Sequence, residues 1–127
     1  MNTHAVSTTL TRFDHHVGGR SMKPSGGEYF FTENPCTGQR WAEIARGSAE
    51  DVLTAVDAAK AGLARWTAMK GAARARLMHR LADVVERDAD KLATMEVRDN
   101  GKLYAEMRPQ MSYIAEWFRY FAGLCDK

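Results

Sequence analysis

Cysteine is scarce in this chain of 127 residues: Cys36 and Cys125 stand almost at opposite ends. That spacing makes neither a redox CxxC nor a metal-ligand pair. It favours two free thiols in a reducing compartment over a single bridge. Long apolar runs are absent too. No segment approaches the ~20 apolar residues that span a bilayer. Residues 1–12 are polar and Thr-rich, without the apolar stretch of a signal peptide. A cytoplasmic protein that makes no use of a membrane is expected. Nor does one charge dominate: 18 Lys and Arg face 16 Asp and Glu, a net +2, with the basic residues spread over helix faces. This argues against nucleic acid as a partner.

Signatures of catalysis are missing as well. No glycine-rich loop follows a strand and opens a helix in the manner of a dinucleotide fold, and Gly18-Gly19 and Gly26-Gly27 have the wrong spacing and context. Cys36 lies in a turn with no neighbouring histidine or base to activate it. The acids are strewn along helix faces rather than paired. Taken alone, these residues describe a scaffold.

What is present is an ordinary globular composition, 45% hydrophobic and 27% charged, of one domain or part of one. Met1 to Arg12 has no period and reads as a flexible tail. His15-His16-Val17 leads as a short strand into a tight turn at Gly18-Gly19. The two histidines point to opposite faces of that strand, so they do not chelate together and read as surface residues. Pro24-Ser25-Gly26-Gly27 is a second turn. Tyr29-Phe30-Phe31-Thr32 favours β structure, and Asn34-Pro35-Cys36-Thr37-Gly38 is turn chemistry throughout. In Arg40 to Ala45, Trp41 alternates with Ala42 and Ile44. A β-hairpin is expected, one that must pack on something else.

Helical periods follow. Ser48 caps a start whose first turn carries Glu50 and Asp51. Val52, Val56, Ala59, Leu63 and Trp66 recur in steps of three and four, predicting an apolar stripe with Trp66 anchoring its end in the core. A second helix follows the break at Lys70-Gly71, with Leu77, Met78, Leu81, Val84 and Val85 buried. Asp83, Glu86 and Asp88 lie among its arginines, which favours a solvated or subunit-facing surface over a phosphate site. A third helix carries Leu92, Ala93 and Met95, and closes at Asn100-Gly101. After a turn over Leu103 to Met107, Pro109 suits the first position of a fourth helix. There Met111, Ile114, Phe118 and Phe121 repeat at helical spacing, with Tyr113, Trp117 and Tyr120 adding aromatic area. This face reads as packing under a neighbouring domain or as the wall of a substrate channel.

The order of these marks carries more than any one of them. His16-Val17-Gly18-Gly19, the Asn34 to Gly38 turn and Glu50-Asp51-Val52 come first, with Ala55-Val56 and Ala58-Ala59 behind them. Trp66, Arg74-Ala75-Arg76-Leu77-Met78 and Leu81-Ala82-Asp83 follow. Asp99-Asn100-Gly101-Lys102 and Tyr120-Phe121-Ala122-Gly123 complete the series. Over about residues 13–127 the chain resembles the amino-terminal segment of the aldehyde dehydrogenase superfamily, although Leu103 stands where many relatives carry proline.

The resemblance implies an α/β aldehyde-dehydrogenase-like fold in the full-length enzyme. This segment would be a β-hairpin followed by mainly α-helices. Residues 1–12 would be a flexible tail, and residues 13–127 an incomplete amino-terminal part of the cofactor-binding domain. It implies oxidation of a small-molecule aldehyde to a carboxylic acid with NAD or NADP, through a cysteine thiohemiacetal and thioester, in a homo-oligomer when complete. The catalytic cysteine, the general-base glutamate, the oxyanion-hole asparagine and the cofactor-binding strands would all lie beyond this segment. Neither Cys36 nor Cys125 stands in the family's nucleophile motif, so no catalytic or cofactor-binding residue is assigned. Thr32 and Asp99 match positions that hold Na+ or K+ in some relatives; their oxygens suit a hard cation, with a third donor from the missing part. Tyr113 and Trp117 match the element lining the aldehyde entrance. The competing expectations are a stand-alone helical interaction or regulatory module without catalysis, and a truncated product.

Overall fold

The computed structural model describes residues 10–127. Thr11–Phe13 form a first strand, β1, which runs parallel to the strand Gln39–Ala45 with Thr11 opposite Ala42 and Phe13 opposite Ile44. The tail expected over residues 1–12 is corrected at its end. Thr11 and Arg12 belong to β1, and Arg12 pairs with Glu43 at 2.5 Å. Composition could not show this, because the partner strand lies far along the chain. The rest of that expectation, residues 1–9, lies outside the described residues.

His15–Val17 (β2) and Arg20–Met22 (β3) form an antiparallel pair, joined by Gly18 and Gly19 at φ +60° and +82°. Two successive positive φ values give the turn whose twist matches that of the strands it joins. Tyr29–Asn34 (β4) and Gln39–Ala45 (β5) make the expected hairpin, and the three-stranded sheet has the order β1-β5-β4. Its register slips once: Glu33 faces Arg40 but Thr32 faces Ala42, leaving Trp41 as an extra residue. Such a bulge breaks the period of two. Trp41 and Ala42, expected on opposite faces, are therefore both buried.

The helices are α1 (Ala49–Ala68), α2 (Gly71–Arg87), α3 (Ala89–Asn100) and α4 (Tyr104–Ala122). Ser48 accepts the Asp51 amide while the Asp51 side chain accepts the Ser48 amide, a complete capping box. Gly101, at φ +76°, closes α3 in the left-handed position. The start of α4 differs from expectation. The extended Leu103 already offers its carbonyl to the amides of Glu106 and Met107. Pro109 consequently sits in the second turn, where its ring nitrogen cannot donate to the Ala105 carbonyl.

The core is small and built on alanine and methionine: Ala89, Ala93, Met107 and Met111, with Leu92, Val97 and Ile114 packed around them. Buried Ala82 of α2 and Ala115 and Ala122 of α4 let those helices lie close. Arg119 of α4 bridges to Asp83 and Glu86 of α2, at 3.1 and 2.6 Å. Two expected burials are corrected. Trp66 is 38% exposed and Leu63 is 58% exposed, so the α1 stripe exists but nothing among the described residues covers it. Leu77, Leu81 and Val84 of α2 are exposed as well. Amphipathic spacing marks which face seeks a partner, not whether the partner is present. Among the described residues, no helix is long and apolar enough to cross a membrane.

Candidate functional site

Two turns with the most distinctive sequences meet. The Thr32 hydroxyl, near the end of β4, donates to the Asp99 carboxylate in the last turn of α3 at 2.6 Å. Two residues further, a Cβ on Gly101 would lie 2.8 Å from Cγ of Pro35 and 3.7 Å from the Cys36 sulfur. Each turn is also tied internally. Asn34 accepts the Cys36 amide at 2.9 Å, and Asn100 accepts the Lys102 amide at 3.0 Å. Glu96 accepts the Asn100 side-chain amide at 2.6 Å and faces the Lys102 ammonium at 3.5 Å. The junction thus presents a hydroxyl and a carboxylate side by side. Among the described residues there is no group of three or more His, Cys, Asp or Glu side chains that could hold a metal ion.

The second candidate lies on α4. Tyr113 and Trp117 meet edge to face at 5.7 Å, and Trp117 meets Tyr120 in the same manner at 6.4 Å. With Glu116 these residues line an open groove of about 480 Å³. Helical spacing places Tyr113, Glu116, Trp117 and Tyr120 on one surface. Arg119 holds Glu116 at 2.8 Å and spans to α2, fixing the rotation of the helix about its axis. Three carboxylates around one guanidinium hold its proton more tightly than usual.

A polar cluster near the start of α1 was not expected. Asp51 is 6% exposed. It accepts the amides of Ser48 at 2.9 Å and Ser25 at 3.0 Å. These bonds, the Ser48 amide first, hold the Asp51 carboxyl below the usual carboxylate range. His15 Nε2 lies 3.8 Å from the same carboxylate. His16 is exposed as expected, but His15 is half-buried, because β2 packs against α1. The capping box was legible in Ser48 and Asp51, whereas the contribution of Ser25 depends on a turn 26 residues away. Cys36 and Cys125 are both free thiols, as expected, the first exposed and the second half-buried with its sulfur 3.4 Å from that of Met78.

Residues 22–127 match the aldehyde dehydrogenase family. The chain is 41% identical over 114 residues to an aldehyde dehydrogenase of Paracoccus denitrificans, covering 89% of this chain and 22% of that protein. It is 40% identical over 121 residues to fluoroacetaldehyde dehydrogenase of Streptantibioticus cattleyicolor, covering 94% of this chain and 24% of that protein. The fold superposes on the NAD+ complex of aldehyde dehydrogenase from Bacillus cereus with a TM-score of 0.84 at 34% identity, covering 88% of this chain and 23% of that one. The chain therefore spans about a quarter of the length of the relatives it matches. Its short strands followed by helices are the amino-terminal part of their α/β fold. The chain belongs to the aldehyde dehydrogenase family and corresponds to the amino-terminal quarter of its relatives.

Proposed function

We propose that the complete protein oxidises a small-molecule aldehyde to a carboxylic acid with NAD or NADP through a cysteine thioester. These 127 residues would supply scaffold and entrance rather than chemistry. Residues 13–127 are then an incomplete part of the cofactor-binding domain, in a cytoplasmic homo-oligomer. The observation that carries this reading is the pair of uncovered apolar faces. Val52, Leu53, Val56 and Leu63 on α1, and Tyr113, Trp117, Tyr120 and Phe121 on α4, are all exposed. Apolar faces of that extent mark missing neighbours.

The start of α1 does not fit the phosphates of a nucleotide cofactor. The connection from β5 into α1 ends at Ser48, whose side chain takes the amide of Asp51, and the Asp51 carboxylate lies at the same helix start. A phosphate would find that amide occupied and a negative charge beside it. Cofactor binding and the cysteine nucleophile are assigned to the remaining three quarters. Thr32 and Asp99 do fit a hard monovalent cation in their donor chemistry. In this reading they contribute oxygens to Na+ or K+, with further donors from the remainder. Tyr113 and Trp117 form part of the aldehyde entrance.

Incubating the purified chain with NAD+ and acetaldehyde should give no NADH, and equilibrium dialysis should show no bound NAD+. Stoichiometric NAD+ binding by the chain alone would sink this assignment. The same open faces favour a second reading, a module without catalysis that pairs with a full-length relative. It predicts a soluble, cooperatively folded and monodisperse chain in isolation.

A further inference from the structure

A cavity of about 270 Å³ opens where the start of β1, the turn between β4 and β5 and the end of α3 meet. Its polar wall is largely a set of donors. Arg40 and Arg98 line it, and no carboxylate among the described residues does. Asn34 uses its side-chain oxygen on the Cys36 amide, which leaves its NH2 group to give. Thr37 accepts the Gln39 amide at 3.3 Å, so its hydroxyl proton is likewise left to give. The Arg98 guanidinium lies over the Trp41 ring at 4.9 Å. The acids nearest to it in sequence are taken, since Glu96 faces Lys102 and Asp99 accepts the Thr32 hydroxyl. Arg40 lies over the Phe31 ring at 4.3 Å and reaches Glu33 only at 3.4 Å. Trp41, which also lines the cavity, is 8% exposed, and its indole N–H finds no acceptor among the described residues. Buried donors without an acceptor are rare. A cation would be repelled by the two guanidiniums, and an apolar group would leave the donors unpaired. The planar fork of an arginine matches the oxygens of a phosphate or carboxylate.

We propose that this cavity binds an oxyanion, the phosphate or carboxylate group of a small solute, with Arg98 and Arg40 as its charge partners and Asn34 and Thr37 as neutral donors. The site depends neither on the aldehyde entrance at α4 nor on a cation at Thr32 and Asp99. An anion held there joins β1, the hairpin turn and α3, so its binding stabilises the folded protein by mass action.

The test titrates the complete protein with inorganic phosphate and, separately, with acetate, at an ionic strength held constant with sodium chloride. Calorimetry reads binding, and the thermal midpoint reads stabilisation. The expected result is a saturable heat and a saturable rise in midpoint with at least one of the two anions. A response to phosphate alone assigns a phosphate group, and a response to acetate assigns a carboxylate. Arg98→Gln should weaken the binding roughly ten-fold or more. Arg40→Gln and Thr37→Val should weaken it less, and Thr37→Val lies in an exposed turn, so the test survives a poorly folded arginine variant. Arg20→Gln, on β3 and outside the cavity, should bind as the parent does. Unchanged binding in the Arg98, Arg40 and Thr37 variants would place the anion elsewhere on the protein and overturn the proposal. A midpoint that climbs without saturating would overturn it too, as a general salt effect. No response to either anion would mean that the donors serve a group of the remaining three quarters rather than a free solute, which also overturns it.

Discussion

Thr32 donates its hydroxyl proton to Asp99 at 2.6 Å, joining β4 to the end of α3 across 67 residues of sequence. Thr32→Val removes the donor while keeping the shape, and should cost about 0.5–1.5 kcal/mol. Thermal denaturation of the complete protein reads this as a lowered midpoint. The proposed cation adds a sharper expectation. Replacing K+ or Na+ with a bulky organic cation should lower the midpoint of the unsubstituted protein and leave that of Thr32→Val unmoved. Equal responses in both proteins would remove the cation from the account.

Gly101 is constrained twice, by its φ of +76° and by Pro35 at 2.8 Å from any added Cβ. Gly38 has a φ of +67°, but no atom of the described residues lies within 4 Å of an added Cβ. Alanine at Gly38 should therefore cost only the left-handed strain, about 1–2 kcal/mol. Alanine at Gly101 should cost visibly more, because the two turns must move apart. Denaturant midpoints of the two variants decide the matter, and equal losses would mean that the turns do not press on each other.

Gly71 and Gly62 form a similar pair within helices. A Cβ at Gly71 would lie 2.5 Å from the Cys125 carbonyl, whereas at Gly62 it would meet no atom of the described residues within 4 Å. Gly62→Ala should stabilise by about 1 kcal/mol through helix propensity. Gly71→Ala should destabilise, by forcing α2 away from the turn that Arg74 holds through the same Cys125 carbonyl at 2.9 Å. Opposite shifts in thermal midpoint are the expected outcome.

Much of this was written locally in the sequence. Ser48 and Asp51 announced the cap of α1, Gly101 the end of α3, and Asn34 to Gly38 the hairpin turn, because each acts on neighbours within a few residues. What was not legible depended on distant partners. The strand at Thr11 and Arg12 exists because β5 offers an edge, and the burial of His15 because α1 lies against it. Pro109 looked like a helix start by its chemistry, but Leu103 opened the helix a turn earlier. Trp66 had the right spacing for a core and lacks a neighbour to complete it. That Thr32 and Asp99 lie together came from the family resemblance, since no spacing rule links them.

Acid should weaken the fold at two named carboxylates. The Tyr29 hydroxyl, first among its causes, holds the Asp14 carboxyl below the usual range, as the Ser48 amide does for Asp51. A folded pKa below the unfolded value of about 3.9 means that stability is present above that value and is lost as pH falls through the folded pKa. Unfolding midpoints should drop on acidification below about pH 4, and Asp51→Asn should flatten that limb. A limb of unchanged slope in Asp51→Asn would show that this carboxylate is not held by the turn.

The central claim is that the open faces of α1 and α4 belong against the other three quarters of a dehydrogenase. The direct measurement is NADH production after co-expressing this chain with the Paracoccus denitrificans enzyme stripped of its matching segment. The account predicts a stable complex and turnover only when both parts are present, with neither active alone. A chain that remains monomeric and cooperatively folded by itself, forms no complex and restores no turnover would contradict it.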